Sequence, residues 1–356
     1  MRSFDIMDAD GHVYEKDSEL FTYLEPPYAG EQSVLAFPFW PTIDGFHRGA
    51  MLGRLNIHKS LETNASIWLN FLDQAGIAQT VLYPTAGLTC GFIKDPEWAI
   101  AVTQAYNNWL FDRYCRESPR LLGMALIPLQ DPSAAVQELR RAVTKLGMVG
   151  AVLPATGLRF PLGHAQFDPI YAEAERLGCA LAVHGGPSQG LGLELLDKYA
   201  QMHTLSHPFA QMMQLTSIIM SGVLDRFPQL HIAFLEAGVS WVPFLIDRMD
   251  RSYEVRRRPE YVGDVKQKPS TYVKSGRIFF SVDPGETTLP TVFKTIGTDA
   301  LFFASDFPHE VNLERCQQEL PVLMQMAELS DKEKRSICAD NMHRFYRLSQ
   351  REKAAR

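Results

Sequence analysis

The feature that most constrains the fold is a repeated alternation between short apolar runs and longer stretches of helical period. Eight apolar runs of strand length recur, each followed by a loop and then a helical stretch, which is the pattern of parallel βα units. The runs lack polar alternation, as expected for strands that are covered by helices on one face and by packed side chains on the other. The predicted strands are residues 4–8, 79–83, 122–128, 150–153, 180–184, 231–236, 278–282 and 301–305.

Eight strands with eight crossovers close most naturally into a (β/α)8 barrel, so the predicted fold class is α/β. An open doubly wound sheet is the alternative, but neither a Walker loop nor a G-x-G-x-x-G motif follows the first strand. Gly147 and Gly178 come just after two helical stretches, where a left-handed C-terminal cap is needed. The clearest helical stretches are residues 97–116, 132–146, 168–177, 210–226 and 312–329.

Two long segments interrupt the repeat. Residues 15–59 separate the first strand from the first barrel helix, and residues 256–275 precede the seventh strand. Loops of this length in a compact domain are usually functional or disordered, and the first is too rich in aromatic residues for disorder. We interpret it as an inserted cap over the barrel mouth; a small hairpin packed on the barrel side is the alternative. No linker is visible, so residues 1–356 are predicted to form a single domain.

The net charge and the cysteine content limit the possible binding partners and the cellular compartment of the protein. The chain has 41 acidic and 35 basic residues and a net charge of −6, so its summed field repels nucleic acid and anionic lipid. The five cysteines include no C-x-x-C pair, which argues against a disulfide framework and favours a reducing compartment. Asp5 and Asp8 exclude an ordinary secretory signal, and the sequence indicates no membrane span. These features predict a cytoplasmic protein that binds neither nucleic acid nor membrane.

The first strand leads into a D-x-H triplet. If extended geometry continues past Asp8, Asp10 and His12 point to the same face at the carboxyl end of the strand, where barrel enzymes place their sites. A carboxylate and an imidazole that converge on one point can chelate a divalent metal. The alternative is that this common triplet belongs to a surface loop.

Two other strands end on residues that can bind a metal. The fifth predicted strand stops at His184, and the eighth is followed by Asp306. A core histidine and a helix cap are the alternatives, but Pro308 and His309 delay the next helix to about Asn312, which makes capping by Asp306 the poorer account. The carboxyl ends of these strands would therefore bring four side chains to one point: Asp10, His12, His184 and Asp306.

The motifs, in this order, resemble one branch of the amidohydrolase superfamily. They are D-x-H after the first strand, V-H-G-G at residues 183–186 and A-S-D-F-P-H at residues 304–309. The branch contains aminocarboxymuconate-semialdehyde decarboxylase and aromatic-acid decarboxylases, and the resemblance spans roughly residues 4–346. It implies a (β/α)8 barrel with one divalent metal bound by the four residues named above. It also suggests a homodimer.

The sequence departs from that family pattern at two places. Many members have H-x-H or E-x-H where this chain has Asp10-x-His12, and the added oxygen donor makes Mn²⁺ as good a candidate as Zn²⁺. Many members also end the sixth strand with a histidine, whereas this chain has Glu236 there. His231 lies five residues earlier, on the other face, and cannot replace it. Three roles are open to Glu236: general base, additional ligand, or partner of a cation such as Arg248.

Further histidines are candidates for the site. His203 and His207 are expected in the loop after the fifth strand, with Pro208 in the first turn of the next helix. His207 could face the substrate or replace the missing base; the alternative is a helix-entry residue with local hydrogen bonds. His309 is expected to fix Asp306 or an incoming anionic group.

Three residues are candidates for substrate binding. Arg248 resembles a position that family members use for a substrate carboxylate, sometimes at a dimer interface, although a solvated helix arginine is the ordinary interpretation. Phe39 and Trp40 belong to an aromatic stripe that would cover an aromatic substrate, and core packing explains the stripe equally well.

These observations predict a metal-dependent, non-oxidative decarboxylase of a small aromatic or conjugated carboxylic acid. One divalent ion, Zn²⁺ or Mn²⁺, would bind the substrate, and Asp306 or His207 would supply the proton that replaces CO₂. The alternative is a metal-dependent hydrolase of an ester, lactone or amide, in which Asp306 takes a proton from water and Glu236 orients it. A non-catalytic ligand-binding barrel is the second alternative.

Overall fold

Eight parallel strands follow one another around the molecule in chain order. The computed structural model describes residues 4–30, 39–41, 63–255, 265–309 and 311–348. Each strand pairs in parallel with the next, from β1 with β2 to β7 with β8. The strands are β1 Ile6–Val13, β2 Ile77–Pro84, β3 Leu121–Leu126, β4 Gly150–Pro154, β5 Ala180–His184, β6 Ile232–Leu235, β7 Ile278–Val282 and β8 Leu301–Phe303.

Backbone hydrogen bonds join the last strand to the first. The N–H of Asp306 donates to the carbonyl of Asp10 at 2.9 Å, and the N–H of His12 donates to the carbonyl of Phe307 at 2.7 Å. The bonds lie just beyond the end of β8, so the chain there continues the pairing with β1. The predicted (β/α)8 barrel is therefore confirmed.

One long helix follows each strand and covers the outside of the barrel. Gly147 and Gly178 both have positive φ (70° and 63°), as predicted from their positions after helices. Shorter helical segments lie between the long ones, for example Val223–Arg226 and Asn341–Phe345. The long helices are Ala65–Ala75, Pro96–Leu110, Pro132–Lys145, Asp168–Leu177, Tyr199–Met220, Trp241–Val255, Leu289–Ile296 and Leu313–Gln325.

The helix after β5 begins earlier than the sequence indicates, and this overturns the placement of two histidines. It spans Tyr199–Met220, so Pro208 is inside it and His203 and His207 are helical rather than in a loop. A proline inside a helix removes one backbone hydrogen bond. The helix nevertheless continues through this position because its barrel-facing side, including Met202, is buried. That burial outweighs the missing bond.

Several strand ends differ from the prediction, and three of them lie at the candidate site. β1 extends to Val13, so the D-x-H triplet lies within the strand. β6 stops before Glu236, whose N–H donates to the side-chain Oγ of Ser281 on β7 at 3.1 Å instead of to a backbone carbonyl. β8 stops before Ser305, whose N–H donates to the Asp8 carboxylate at 2.7 Å.

Parts of both predicted inserts lie outside the described residues, namely 31–38 and 42–59 of the first and 256–264 of the second. Within the first, Phe39 and Trp40 are described and both side chains are buried. Phe39 lies 5.9 Å from Trp98, and Trp40 lies 6.3 Å from Tyr106, measured between ring centres. Within the part of the chain that the structure describes, every helix is too short or too polar to cross a lipid bilayer.

Candidate metal centre and active-site cavity

Asp10 and His12 lie two residues apart on β1, and both side chains are buried. His12 Nδ1 is hydrogen-bonded to the carbonyl of Pro84 at 2.8 Å, so Nε2 is the nitrogen directed toward Asp10. The glycine between them makes room for an aromatic ring. A Cβ at Gly11 would lie 2.3 Å from the ring of Trp68, whose indole N–H donates to the carbonyl of His12 at 3.0 Å.

His184 ends β5 and points its Nε2 at the carboxylate of Asp10. Nε2 lies 3.3 Å from Asp10 Oδ2, while Nδ1 is hydrogen-bonded to the carbonyl of Gly185 at 2.9 Å. The rings of His12 and His184 meet edge to face with their centres 4.9 Å apart. The two strands thus bring two imidazoles to the same carboxylate.

Glu236 and Asp306 complete the cluster from the ends of β6 and β8. Both have a φ of 54°, in the left-handed region that non-glycine residues seldom adopt. Asp306 Oδ1 lies 3.5 Å from His12 Nε2, and Glu236 Oε2 lies 3.4 Å from His184 Nδ1. Such backbone strain is common where a side chain must be aimed at a functional site.

The donor atoms fit a divalent cation. His12 Nε2 is buried without a hydrogen-bond partner and lies 3.5 Å from an oxygen of both Asp10 and Asp306. That distance is too long for a hydrogen bond, but donors that share an ion at about 2.0–2.2 Å are typically about 3 Å apart. Potential ligand atoms of Asp10, His12 and His184 all lie within 4.8 Å of one another. The described residues therefore form a candidate metal site.

A second, overlapping set of donors extends the site. Potential ligand atoms of His12, Glu236, Asp306 and His309 also lie within 4.8 Å of one another. His309 stacks on His12 with 3.9 Å between ring centres, and its Nδ1 is 3.0 Å from Asp306 Oδ1. Glu236 and His309 are thus close enough to act as ligands or to contact a molecule bound beside the ion.

Burial and charge shift the pKa values of the first three donors. Burial raises the pKa of Asp10, although the charge of His184 opposes the rise. Burial lowers the pKa of His12 well below its usual value, and the positive charges of His309 and His184 lower it further. Burial also disfavours the charged form of His184, but Asp10 outweighs it and raises the pKa to about 9. The neutral His12 that results is the form that binds a metal.

The two strained carboxylates differ in protonation. Burial raises the pKa of Asp306 to about 7, with the charge of His309 opposing it. Burial also acts to raise the pKa of Glu236, but His207, His309 and His184 outweigh it and hold the pKa well below its usual value. Glu236 is therefore the stronger acid of the pair.

A cavity of about 370 Å³ opens beside the cluster at the carboxyl ends of β6, β7 and β8. Of the described residues that line it, six are acidic and one, Arg315, is an arginine. Glu319 accepts a hydrogen bond from Arg315 Nε at 2.6 Å. The charged and histidine residues of the lining are Asp10, His203, His207, Glu236, Asp283, Glu286, Asp306, Arg315 and Glu319.

The other predicted site residues lie at varied distances from the cluster. His207 lines the cavity with its Nδ1 3.9 Å from Glu236 Oε1, despite its unexpected helical setting. Arg248 is exposed on the helix after β6. Among the described residues, the lining of this cavity includes none of Arg248, Phe39 and Trp40.

Three residues near the site were not predicted from the sequence. Asp8 is buried and accepts hydrogen bonds from Thr80 Oγ1 at 2.7 Å and from Ser305 Oγ at 2.9 Å. Thr85 Oγ1 is hydrogen-bonded to His309 Nε2 at 2.8 Å, and Arg315 lines the cavity. The acidic run around Asp8 is a signal that could have suggested a buried carboxylate. Thr85 and Arg315 have no such local signal.

Comparisons with known proteins place these features in a family. The amidohydrolase family model matches residues 8–348. The chain is 29% identical over 254 residues to gamma-resorcylate decarboxylase of Rhizobium radiobacter, which covers 68% of this chain and 76% of that protein. It is 25% identical over 226 residues to 2-amino-3-carboxymuconate-6-semialdehyde decarboxylase of Dictyostelium discoideum. That alignment covers 63% of this chain and 61% of that protein, so the chain spans less than two thirds of this relative's length.

A solved structure of similar fold is dihydroxybenzoic acid decarboxylase from a Polaromonas species, crystallised with manganese and the inhibitor 2-nitroresorcinol. It superimposes with a TM-score of 0.72 at 20% identity, over 97% of each chain. At this identity the likeness establishes the shared barrel. With the family model spanning nearly the whole length, the chain belongs to the amidohydrolase family.

Proposed function

We propose that the protein is a metal-dependent, non-oxidative decarboxylase of a small aromatic or conjugated carboxylic acid. The observation that carries the proposal is the buried cluster around His12 Nε2, which fits a cation and opens into a cavity of about 370 Å³. Two relatives are decarboxylases by name, and one of them acts on gamma-resorcylate, an aromatic acid. The cavity volume suits a single-ring substrate.

The metal would be one divalent ion bound by Asp10, His12, His184 and Asp306. Mn²⁺ and Zn²⁺ both suit two oxygen and two nitrogen donors. Manganese in the Polaromonas decarboxylase supports Mn²⁺ as the first ion to test. When bound, such an ion would act as a Lewis acid that stabilises negative charge on the substrate.

The remaining residues of the cluster suit proton transfer. Loss of CO₂ leaves a carbon that must accept a proton, and Asp306, which lines the cavity and is hydrogen-bonded to His309, is placed to carry one. His207 is the second candidate because it lines the cavity beside Glu236. The ionised Glu236 would orient His184 and His309 through their shared electrostatic contacts.

An anionic substrate needs positive charge in a cavity with six acidic lining residues. Besides the ion, the described lining residues supply Arg315, His203 and His207, and His309 lies next to the cavity, 3.0 Å from the lining residue Asp306. We assign substrate binding to His309 and Arg315. Arg248, Phe39 and Trp40 would contribute only if the cap or a second subunit brought them to the cavity mouth. A single domain with residues 15–59 as a cap, assembled as a homodimer, remains part of the proposal.

Hydrolysis of an ester, lactone or amide is the second candidate. The observation that favours it is the ionised Glu236, which is 3.4 Å from His184 Nδ1 and lines the cavity, where it could orient a water molecule. In that reaction Asp306 would take the proton from water.

The deciding experiment measures CO₂ release by the full chain loaded with Mn²⁺ or Zn²⁺. The substrates are 2,6-dihydroxybenzoate, 5-carboxyvanillate and an unsaturated dicarboxylate, with an ester, a lactone and an amide assayed in parallel. We expect CO₂ from at least one acid and a loss of at least about a hundredfold in kcat for His184→Ala. Release of CO₂ from none of the acids, together with turnover of an ester, lactone or amide, would establish the hydrolase instead.

A further inference from the structure

Two consecutive residues at the end of β2 contact two histidines of the site. The carbonyl of Pro84 is hydrogen-bonded to His12 Nδ1 at 2.8 Å, and Thr85 Oγ1 is hydrogen-bonded to His309 Nε2 at the same distance. The two imidazoles stack with an interplanar angle of 26°. The β2 exit thus contacts both rings of the stack although it supplies no charged group.

The backbone that carries Thr85 is fixed by a carboxylate from the segment after β1. Glu15 accepts hydrogen bonds from the N–H groups of Thr85, Ala86 and Gly87 at 3.0, 3.1 and 2.8 Å. A Cβ at Gly87 would lie 2.7 Å from Leu126 Cδ1 and 3.1 Å from Glu15 Oε1, so the glycine permits this approach. None of these three bonds uses the Thr85 hydroxyl.

Both ring nitrogens of His309 have partners on opposite sides. Nε2 meets Thr85 Oγ1, while Nδ1 lies 3.0 Å from Asp306 Oδ1 and 3.8 Å from Glu236 Oε1. A half-turn of the ring would put carbon atoms at both positions and lose both hydrogen bonds. Without the hydroxyl, the rotation would lose only the hydrogen bond with Asp306 and would therefore cost less free energy.

We propose that Thr85 is a positioning residue: its hydroxyl, on a backbone fixed by Glu15, holds the His309 ring with Nδ1 toward Asp306 and Glu236. The expected effect of Thr85 on turnover rests on the proposed function, whereas its expected effect on the orientation of the His309 ring does not. Groups that orient a side chain beside a metal site typically affect affinity or activity by about 10–100-fold.

The test compares Thr85→Val with Thr85→Ser in the metal-loaded full chain. Valine is close to threonine in size and keeps the backbone N–H that donates to Glu15. We expect the kcat of Thr85→Val to fall about 10–100-fold because the ring no longer fixes Asp306, the proposed proton carrier, with bound metal within about twofold of wild type. Thr85→Ser should stay within about threefold of wild type because it keeps the hydroxyl.

Thr89→Val is the matched control. It removes a hydroxyl from the same loop, where Thr89 Oγ1 donates to the carbonyl of Ala86 at 2.7 Å, and we expect wild-type kcat. The proposal is overturned if Thr85→Val keeps full kcat, if Thr85→Ser is as slow as Thr85→Val, or if Thr85→Val loses its metal. Should Thr85→Val not fold, Thr85→Ala is judged by the same criteria.

A crystal structure of Thr85→Val gives a readout that needs no turnover. We expect the His309 ring, then held by Asp306 alone, to shift or to occupy two orientations, so that Nδ1 is no longer fixed toward Asp306 and Glu236. A single ring orientation identical to that of the wild type would overturn the proposal. Absence of CO₂ release by the wild-type protein would count against the proposed function alone.

Discussion

Individual residues of the site have conformations that their own chemistry does not favour. Glu236 and Asp306 have positive φ, which costs a non-glycine residue about 1 kcal/mol or more. Their N–H groups are bound by Ser281 Oγ and by the carbonyl of Asp10, so contacts with neighbouring strands stabilise the turn. The sequence indicates that these carboxylates are at strand ends, but their strain depends on partners distant in the chain.

Gly11 offers a direct test of local geometry at this scale. We expect Gly11→Ala to lower the free energy of unfolding by about 1–3 kcal/mol, because its Cβ would lie 2.3 Å from the outer ring of Trp68. Phenylalanine lacks those ring atoms. In a Trp68→Phe background the same substitution should therefore cost at least about 1 kcal/mol less, as measured by urea denaturation. Equal costs in both backgrounds would show that the clash with Trp68 is not the cause.

The contact between β1 and β8 depends on a buried carboxylate. Asp8 accepts hydrogen bonds from Thr80 on β2 and from the N–H and hydroxyl of Ser305, just after β8. One side chain thus links the first two strands to the last. At the element scale, Asp8 contributes to barrel closure independently of the donors that face the cavity.

Removal of Asp8 should therefore destabilise the whole barrel. We expect Asp8→Ala to lower the free energy of unfolding by about 2–4 kcal/mol, since it leaves buried donors without an acceptor. Asp8→Asn keeps one acceptor oxygen and should cost less. Urea denaturation measures both, with Asp5→Ala, at an exposed position, as the control. An Asp8→Ala protein as stable as the control would contradict this role.

Two neighbouring helices are joined by a charge cluster with a predictable pH dependence. Glu173 accepts hydrogen bonds from Arg176 at 2.6 Å and from Arg140 of the preceding helix at 2.8 Å. These contacts, Arg176 first, lower the pKa of Glu173 to about 2. A depressed pKa in the folded protein adds stability above the unfolded value of about 4.5, which is lost as the pH falls toward 2.

We expect Glu173→Gln to reduce stability at pH 7 by about 1 kcal/mol, a figure discounted because both arginines are half exposed. The difference from wild type should shrink between pH 4.5 and pH 2. Urea denaturation across this range is the measurement, with Glu117→Gln as the exposed control. A difference that stays constant with pH would exclude this ionisation as its source.

At the scale of the whole molecule, the sequence predicts the barrel well because its signal is repeated. Each strand from β2 to β8 contains a short apolar run, and His184 and Asp306 come at or just after the ends of two of these runs. The helical setting of His207 was missed because Pro208 normally starts a helix, whereas here packing along Tyr199–Met220 dominates. Thr85 and Arg315 were missed because their proximity to the cavity depends on loop and helix geometry.

Metal binding should couple to the stability of the whole molecule, since its proposed ligands come from β1, β5 and the end of β8. An ion at a thousandfold excess over its Kd stabilises the fold by about 4 kcal/mol. We therefore expect removal with a chelator to lower Tm by roughly 5 °C. Calorimetry with and without chelator measures this. His184→Ala should show a much smaller response, and an equal response in both proteins would mean that the ion binds elsewhere.

The hydrogen bond between the Asp306 N–H and the Asp10 carbonyl joins positions that are nearly 300 residues apart. The same two residues supply side chains to the candidate metal site. During synthesis on the ribosome, a growing chain would have seven strands in place and still lack a complete set of donors. The chain could bind the ion only after the eighth strand has formed. Metal binding would therefore indicate that the last segment has packed onto the barrel.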